Sequence, residues 1–148
     1  MSKLIVLMGL PGSGKSTYAN QFDHCAVLSS DAIRKELFDD VQYQGNNELV
    51  FDTLYSRAKE YLERGYDVVI DSTHLEARRR LRVIDMFRDY EKEIHIINTP
   101  VEQCKRRNRE RERVVPEYVI DQMAAKMEYP TYNEGWSKIV EVNPHQLD

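Results

Sequence analysis

The chain has 148 residues, enough for one domain with one core and too few for a second catalytic domain. A net charge of −4 argues against coating of nucleic acid by bulk charge. The two cysteines, Cys25 and Cys104, lack metal-ligand spacing, so both are expected as buried free thiols.

Residues 3–8 form an apolar run that stops at Gly9 and reads as a buried strand, followed by a helix over 15–22. Residues 24–29 read as a second parallel strand, with Ser30-Asp31 capping a helix through Ile33, Leu37 and Phe38. A polar stretch with Gly45-Asn46-Asn47 marks a loop. Leu49, Val50, Leu54, Ala58 and Leu62 recur at helical spacing over 47–64, and Gly65 ends that helix. Residues 67–71 are the third strand, apolar in the middle and acidic at the end. Residues 76–90 read as a helix with Leu81, Ile84 and Phe87 inward and arginines outward. Residues 93–98 are a fourth strand, Pro100 starts a helix to about Arg109, and Pro116 starts another with Val119, Ile120, Met123 and Met127 inside. Tyr129-Pro130 stops it, Trp136 is expected in the core, and 138–142 is a last short strand. The alternation predicts a single α/β domain over residues 1–148, a mainly parallel sheet flanked by helices with ligands at the strands' C-terminal ends. No run approaches the ~18 apolar residues of a membrane span, and the first apolar run is needed as a strand rather than as a signal peptide. A cytoplasmic protein is expected.

The stretch from Gly9 to Thr17 fits the phosphate-loop pattern G-x-x-x-x-G-K-[ST] in its proper context, after a strand and before a helix. Backbone N–H groups along Gly9, Gly12, Ser13, Gly14, Lys15, Ser16 and Thr17 are placed to wrap the triphosphate of ATP. Lys15 is expected at the β- and γ-phosphates and the Ser16 hydroxyl on Mg²⁺. Asp71 ends an apolar strand and is the expected second magnesium-side oxygen donor. Ser72 follows it, where motor ATPases of the AAA type place a second acidic residue that activates water. Together with the absence of an N-K-x-D motif, this points away from motors and GTPase switches and toward transfer to another acceptor. Asp31 and Arg34, three apart on a helix start, share a face. The pair reads either as a proton acceptor beside an acceptor clamp, or as a cap with a solvent-facing arginine. Residues 76–113 carry twelve Lys/Arg against eight Asp/Glu, a local basic surface on an acidic body. Within it, Arg107 and Arg111 share a helical face suited to neutralising a transferring phosphoryl group, while interleaved glutamates favour a solvated face for the others. The Arg78-Arg79-Arg80-x-Arg82 cluster reads as phosphodiester contacts or as plain exposure, and His74 lies near the site without an evident partner.

The segments GLPGSGKST, SSDAIR, VVIDSTHL and NTPVEQCKRRNRERERVVP together resemble the phage polynucleotide 5′-hydroxyl kinase family and the small phosphate-loop kinases around it, including zeta-toxin-like phosphotransferases. The resemblance spans nearly the whole chain. It implies Asp31 as general base, Arg34 as the contact to the acceptor's phosphate, and Arg111 as the lid arginine, with Arg109 and Arg113 as alternatives because local spacing differs by about a residue. It also implies that Ser72 stands where the family carries its acceptor-side aspartate, which leaves Asp71 on the magnesium side. The expected activity is ATP·Mg²⁺-dependent phosphorylation of a hydroxyl, first the 5′-end of DNA or RNA. The rival readings are a nucleoside, sugar or antibiotic kinase on the same fold, and a non-catalytic ATP-binding module.

Overall fold

The structure, a computed structural model, describes residues 2–39, 46–111 and 115–143. Gly45 and Arg113 lie outside the described residues. Strand β1 (Lys3–Met8) leads into helix α1 (Lys15–Ala19). Then come β2 (Ala26–Ser29), α2 (Ser30–Phe38), α3 (Asn47–Glu63) and β3 (Val68–Asp71). Helix α4 (Ala77–Met86), β4 (Glu91–Ile97), α5 (Val101–Arg109), α6 (Glu117–Lys126) and β5 (Lys138–Val142) complete the order, with one 3₁₀ turn at Tyr132–Glu134. The five strands run β2-β3-β1-β4-β5, and every neighbouring pair is parallel. The predicted α/β class is therefore the observed one.

The pleat sorts the strands onto two unequal cores. Leu4, Val6 and Met8 of β1, Val68 and Ile70 of β3, and Ile94 and Ile96 of β4 face the larger. Onto them pack Val50, Leu54, Ala58 and Leu62 of α3, Val83 of α4, Cys104 of α5 and Ile120 of α6. Ile5, Leu7 and Val69 face the other way, onto Ala19, Tyr18 and Phe22. Among the described residues, the apolar cover of this second face comes from the five-residue α1 and the turn after it, and polar groups persist there. On β4 they form a chain: Tyr18 Oη lies 2.7 Å from His95 Nδ1, and His95 Nε2 lies 2.9 Å from Glu93 Oε1. Lys3 Nζ closes it at 3.1 Å from Glu93 Oε2. The sequence places Glu93 and His95 on one strand and Tyr18 on a helix, with no local sign that they partner one another.

Helix α3 shows why its sequence folds locally. Asn46 caps it, accepting from Leu49 N–H at 3.1 Å, a contact worth about 1 kcal/mol. At the other end Gly65 adopts φ 90°, so that Gly65 N–H meets Leu62 O and Tyr66 N–H meets Tyr61 O, closing the last turn.

Several boundaries move. Ser29, not Ser30-Asp31, caps α2, accepting from Ala32 N–H at 3.3 Å, which leaves the Asp31 carboxylate available to Arg34. Helix α1 stops at Ala19, short of the expected 22, and α6 stops at Lys126, before Tyr129-Pro130. Cys104 is buried as expected, but Cys25 is only half-buried because it sits at the thin edge of the second face.

The largest correction concerns α4. Its inner face is Arg80, Val83 and Phe87, and Leu81 is 55% exposed. Arg80 is fully buried, where an unpaired guanidinium would be prohibitive. It is paired: Nε and Nη2 donate to the two carboxylate oxygens of Glu134 at 3.0 and 3.1 Å, and Nη1 donates to His74 O at 2.9 Å. Trp136 Nε1 donates to the same Glu134 at 2.8 Å, and its ring is buried as expected. Burial works to raise the Glu134 pKa, but the hydrogen bonds from Arg80 and Trp136 outweigh it and hold the carboxyl below its usual range.

Candidate active site

Parallel strands place their C-terminal ends along one edge of the sheet, and three of those ends surround one cleft of about 770 Å³. After β1 comes the phosphate loop. Gly9 N–H donates to Thr73 O at 3.2 Å, tying the loop to the end of β3, and Ser13 N–H donates to Leu10 O at 3.0 Å within the turn. Gly12 has φ 81°, and a Cβ there would stand 2.4 Å from the Cys104 carbonyl oxygen, so the loop can lie against α5 only as glycine. Thr99 Oγ1 and Arg107 Nη1 both donate to Ser13 O, at 2.7 and 3.2 Å. Arg107 thus contacts the backbone of the phosphate loop, beside the phosphates it was expected to meet.

Lys15 Nζ donates to the carbonyls of Gly9 and Leu10, both at 3.0 Å, and burial pushes its pKa down against the pull of Asp71 and Asp31. Gly12, Gly14, Lys15, Ser16 and Thr17 all line the cleft. Ser16 Oγ donates to Asp71 Oδ2 at 3.0 Å. A hydroxyl and a carboxylate converging at this distance are the all-oxygen donor set that suits Mg²⁺, which takes few protein ligands and fills the rest with water and phosphate oxygens.

After β2 stands Asp31, whose carboxylate accepts from Arg34 Nη1 at 2.8 Å. Arg34 is not the solvent-facing arginine of the bland reading. Its side chain is 7% exposed, and Nη2 donates to Asn47 Oδ1 at 3.0 Å across to α3. Asp31, Arg34 and Asn47 all line the cleft together with the phosphate loop.

Helical phase sorts the arginine-rich α5. Lys105 and Arg109 reach across to α6, pairing with Asp121 at 2.8 Å and Glu117 at 2.6 Å. These ties turn Arg109 toward α6, and it is not among the described residues that line the cleft. Arg111, just beyond α5, lines the cleft. Its position depends on a residue the sequence did not flag. Asn108 is fully buried, its Oδ1 accepts from Val115 N–H at 2.9 Å, and its Nδ2 donates to Val115 O. One amide side chain thereby holds the chain three residues before and four residues after Arg111.

His74 also has a partner after all. Its Nε2 lies 3.2 Å from Tyr55 Oη, inside the core and behind the cleft. Burial pushes the imidazole down to about 4, opposed by backbone contacts to Ser72 and Leu7, and the same burial pushes the Tyr55 phenol up to about 12. At neutral pH both are uncharged, which suits a supporting contact rather than proton transfer.

The pattern of the AAA domain family matches residues 4–130. The chain belongs to that family. It is 28% identical over 149 residues to L-seryl-tRNA(Sec) kinase of Methanococcus maripaludis, covering 90% of this chain and 55% of that protein. It is 26% identical over 153 residues to the bifunctional polynucleotide phosphatase/kinase of Schizosaccharomyces pombe, covering 95% of this chain and 33% of that protein. The chain therefore spans about half and one third of these two curated relatives. Among solved structures, a sugar kinase from Janibacter sp. HTCC2649 superposes with a TM-score of 0.71 at 19% identity, over 99% of this chain and 90% of that one. The fold is thus that of phosphate-loop kinases. No described helix is long and apolar enough to cross a membrane.

Proposed function

We propose that this chain is an ATP-dependent kinase that transfers the γ-phosphoryl group to a hydroxyl, and that the acceptor is the 5′-hydroxyl end of DNA or RNA. The observation that carries the reading is the placement of Asp31, with Arg34 locked to it, in one cleft with Lys15, Ser16 and Arg111. A donor loop alone would serve a binding module. A carboxylate held in the same cleft serves transfer.

The backbone from Gly12 to Thr17 and the Lys15 ammonium hold the β- and γ-phosphates of ATP. Ser16 and Asp71 hold Mg²⁺, which when bound neutralises charge on the phosphate oxygens. The acceptor hydroxyl lies between Asp31 and the γ-phosphorus. Its oxygen forms the new P–O bond as the bond to the ADP leaving oxygen breaks, and its proton passes to the Asp31 carboxylate. Lys15 and Arg111 face the negative charge spread over the transferring group. Arg34 fixes the carboxylate and offers a cation to phosphate already present on the acceptor. The relative named as a polynucleotide phosphatase/kinase supports that choice of acceptor, while the L-seryl-tRNA(Sec) kinase supports a hydroxyl carried on RNA without pointing to its 5′ end.

Incubation with γ-labelled ATP and a 5′-OH oligonucleotide should label the oligonucleotide, and Asp31→Ala should abolish labelling while ATP binding persists. Failure to label any DNA or RNA end removes the polynucleotide reading. The net charge of −4 favours a second acceptor class, a sugar or nucleoside, and the same assay with those acceptors distinguishes the two.

A further inference from the structure

A second pocket of about 250 Å³ opens beside the cleft, lined by Asn47, Glu48, Phe51 and Tyr55 of α3 and Arg79 and Arg82 of α4. Asn47, Phe51 and Arg79 line both spaces, so the two are immediate neighbours, and Asn47 also accepts from Arg34. Two cation–aromatic pairs build its wall. The Arg79 guanidinium lies 5.3 Å from the Phe51 ring centre, and that of Arg82 lies 5.1 Å from the ring of Tyr55. Arg82 also pairs with Asp52, but that pair is exposed on both sides and contributes little, so an incoming phosphate can displace it. Arg79 and Arg82 sit one helical turn apart and outnumber the Glu48 carboxylate. Guanidinium edges that bind phosphate, with planes and rings on which a base stacks, are the chemistry of single-strand recognition.

We infer that this pocket is the acceptor's second-nucleotide subsite, with Arg79 and Arg82 holding the phosphodiester that follows the second nucleotide, a group a nucleoside 3′-monophosphate lacks, and the Phe51 side offering the stacking surface. This rests on the polynucleotide reading above. It makes the enzyme prefer a strand over a mononucleotide, and it gives part of the basic cluster at the start of α4 a purpose distinct from buried Arg80.

The test compares two acceptors, a nucleoside 3′-monophosphate and a 5′-OH hexanucleotide, in the intact chain with labelled ATP. The expected result is a higher kcat/KM for the hexanucleotide, and a loss of that preference by about tenfold in Arg79→Gln and in Arg82→Gln, on the order of one lost stacking or phosphate contact. The slope of log KM for the hexanucleotide against log salt should fall by about 0.7 for each arginine removed, and Arg82→Lys should keep the slope. A purely structural arginine would not move that slope. If the wild-type protein treats both acceptors alike, or if both glutamine variants keep the preference and the slope, the subsite is refuted while the kinase reading stands. If neither acceptor is labelled, the polynucleotide reading fails and the subsite falls with it.

Discussion

Glu134→Ala should be among the most destabilising single substitutions in this protein, although Glu134 does not line the cleft. The change leaves the Arg80 guanidinium fully buried with only the His74 carbonyl and the Met8 sulfur beside it, and removes the acceptor of Trp136 Nε1. Removing one partner of a buried ion pair costs about 3–5 kcal/mol. That is a large share of the roughly 5–15 kcal/mol that holds a domain together. At roughly 2–4 °C per kcal/mol for a chain of this size, the unfolding midpoint should fall by on the order of 10–15 °C. Thermal unfolding followed by far-ultraviolet circular dichroism measures it. The double variant Arg80→Met, Glu134→Gln removes the charge and keeps an acceptor for the tryptophan, so it should be milder than Glu134→Ala alone. A midpoint for Glu134→Ala within about 2 °C of wild type would refute the assignment of Arg80 and Glu134 as a buried pair that holds α4 to the sheet.

Three further substitutions probe the site and its support. Gly12→Ala places a methyl against the Cys104 carbonyl at a left-handed φ, so it should lower ATP affinity at least tenfold in a nucleotide titration, whereas Gly65→Ala, with open space around it, should leave ATP affinity unchanged. Asp71→Asn keeps an oxygen for the Ser16 hydroxyl but loses the charge, and the Mg²⁺ concentration for half-maximal transfer should rise by about 10–100-fold. An unchanged magnesium requirement would take Asp71 off the metal side. His74 has its pKa lowered to about 4, so between that value and the usual imidazole range the unfolded chain binds the extra proton and stability rises with pH. The loss on acidification through that window should approach about 3 kcal/mol, and His74→Asn, which tolerates φ 46°, should flatten it in urea titrations at stepped pH.

What could be read from the sequence was what is local in the chain. The phosphate loop is contiguous: strand, glycine turn, lysine and helix start are covalent neighbours, so spacing alone specifies their geometry. Asp31 with Arg34 lies within one helical turn, and the strand–helix alternation, with the parallel sheet it implies, is a local period repeated. The bonds that decide the roles are long-range. Ser16 meets Asp71 across 55 residues, and Arg107 reaches the Ser13 carbonyl across 94. Helical phase in α4 was legible in principle, since Arg80, Val83 and Phe87 stand at i, i+3 and i+7. Hydrophobicity pointed instead to Leu81, because no local rule reveals that a glutamate 54 residues on neutralises the arginine inside. The arginines of α5 are likewise chemically alike in sequence. Tertiary structure separated them, turning Arg109 to Glu117, Arg107 to the backbone of the loop and Arg111 to the cleft. The amino-acid sequence by itself determined the donor loop and the sheet that carries it. Only the folded chain decided which charges are structural and which face the cleft, because a charge takes its role from the partner and the burial that distant segments bring to it.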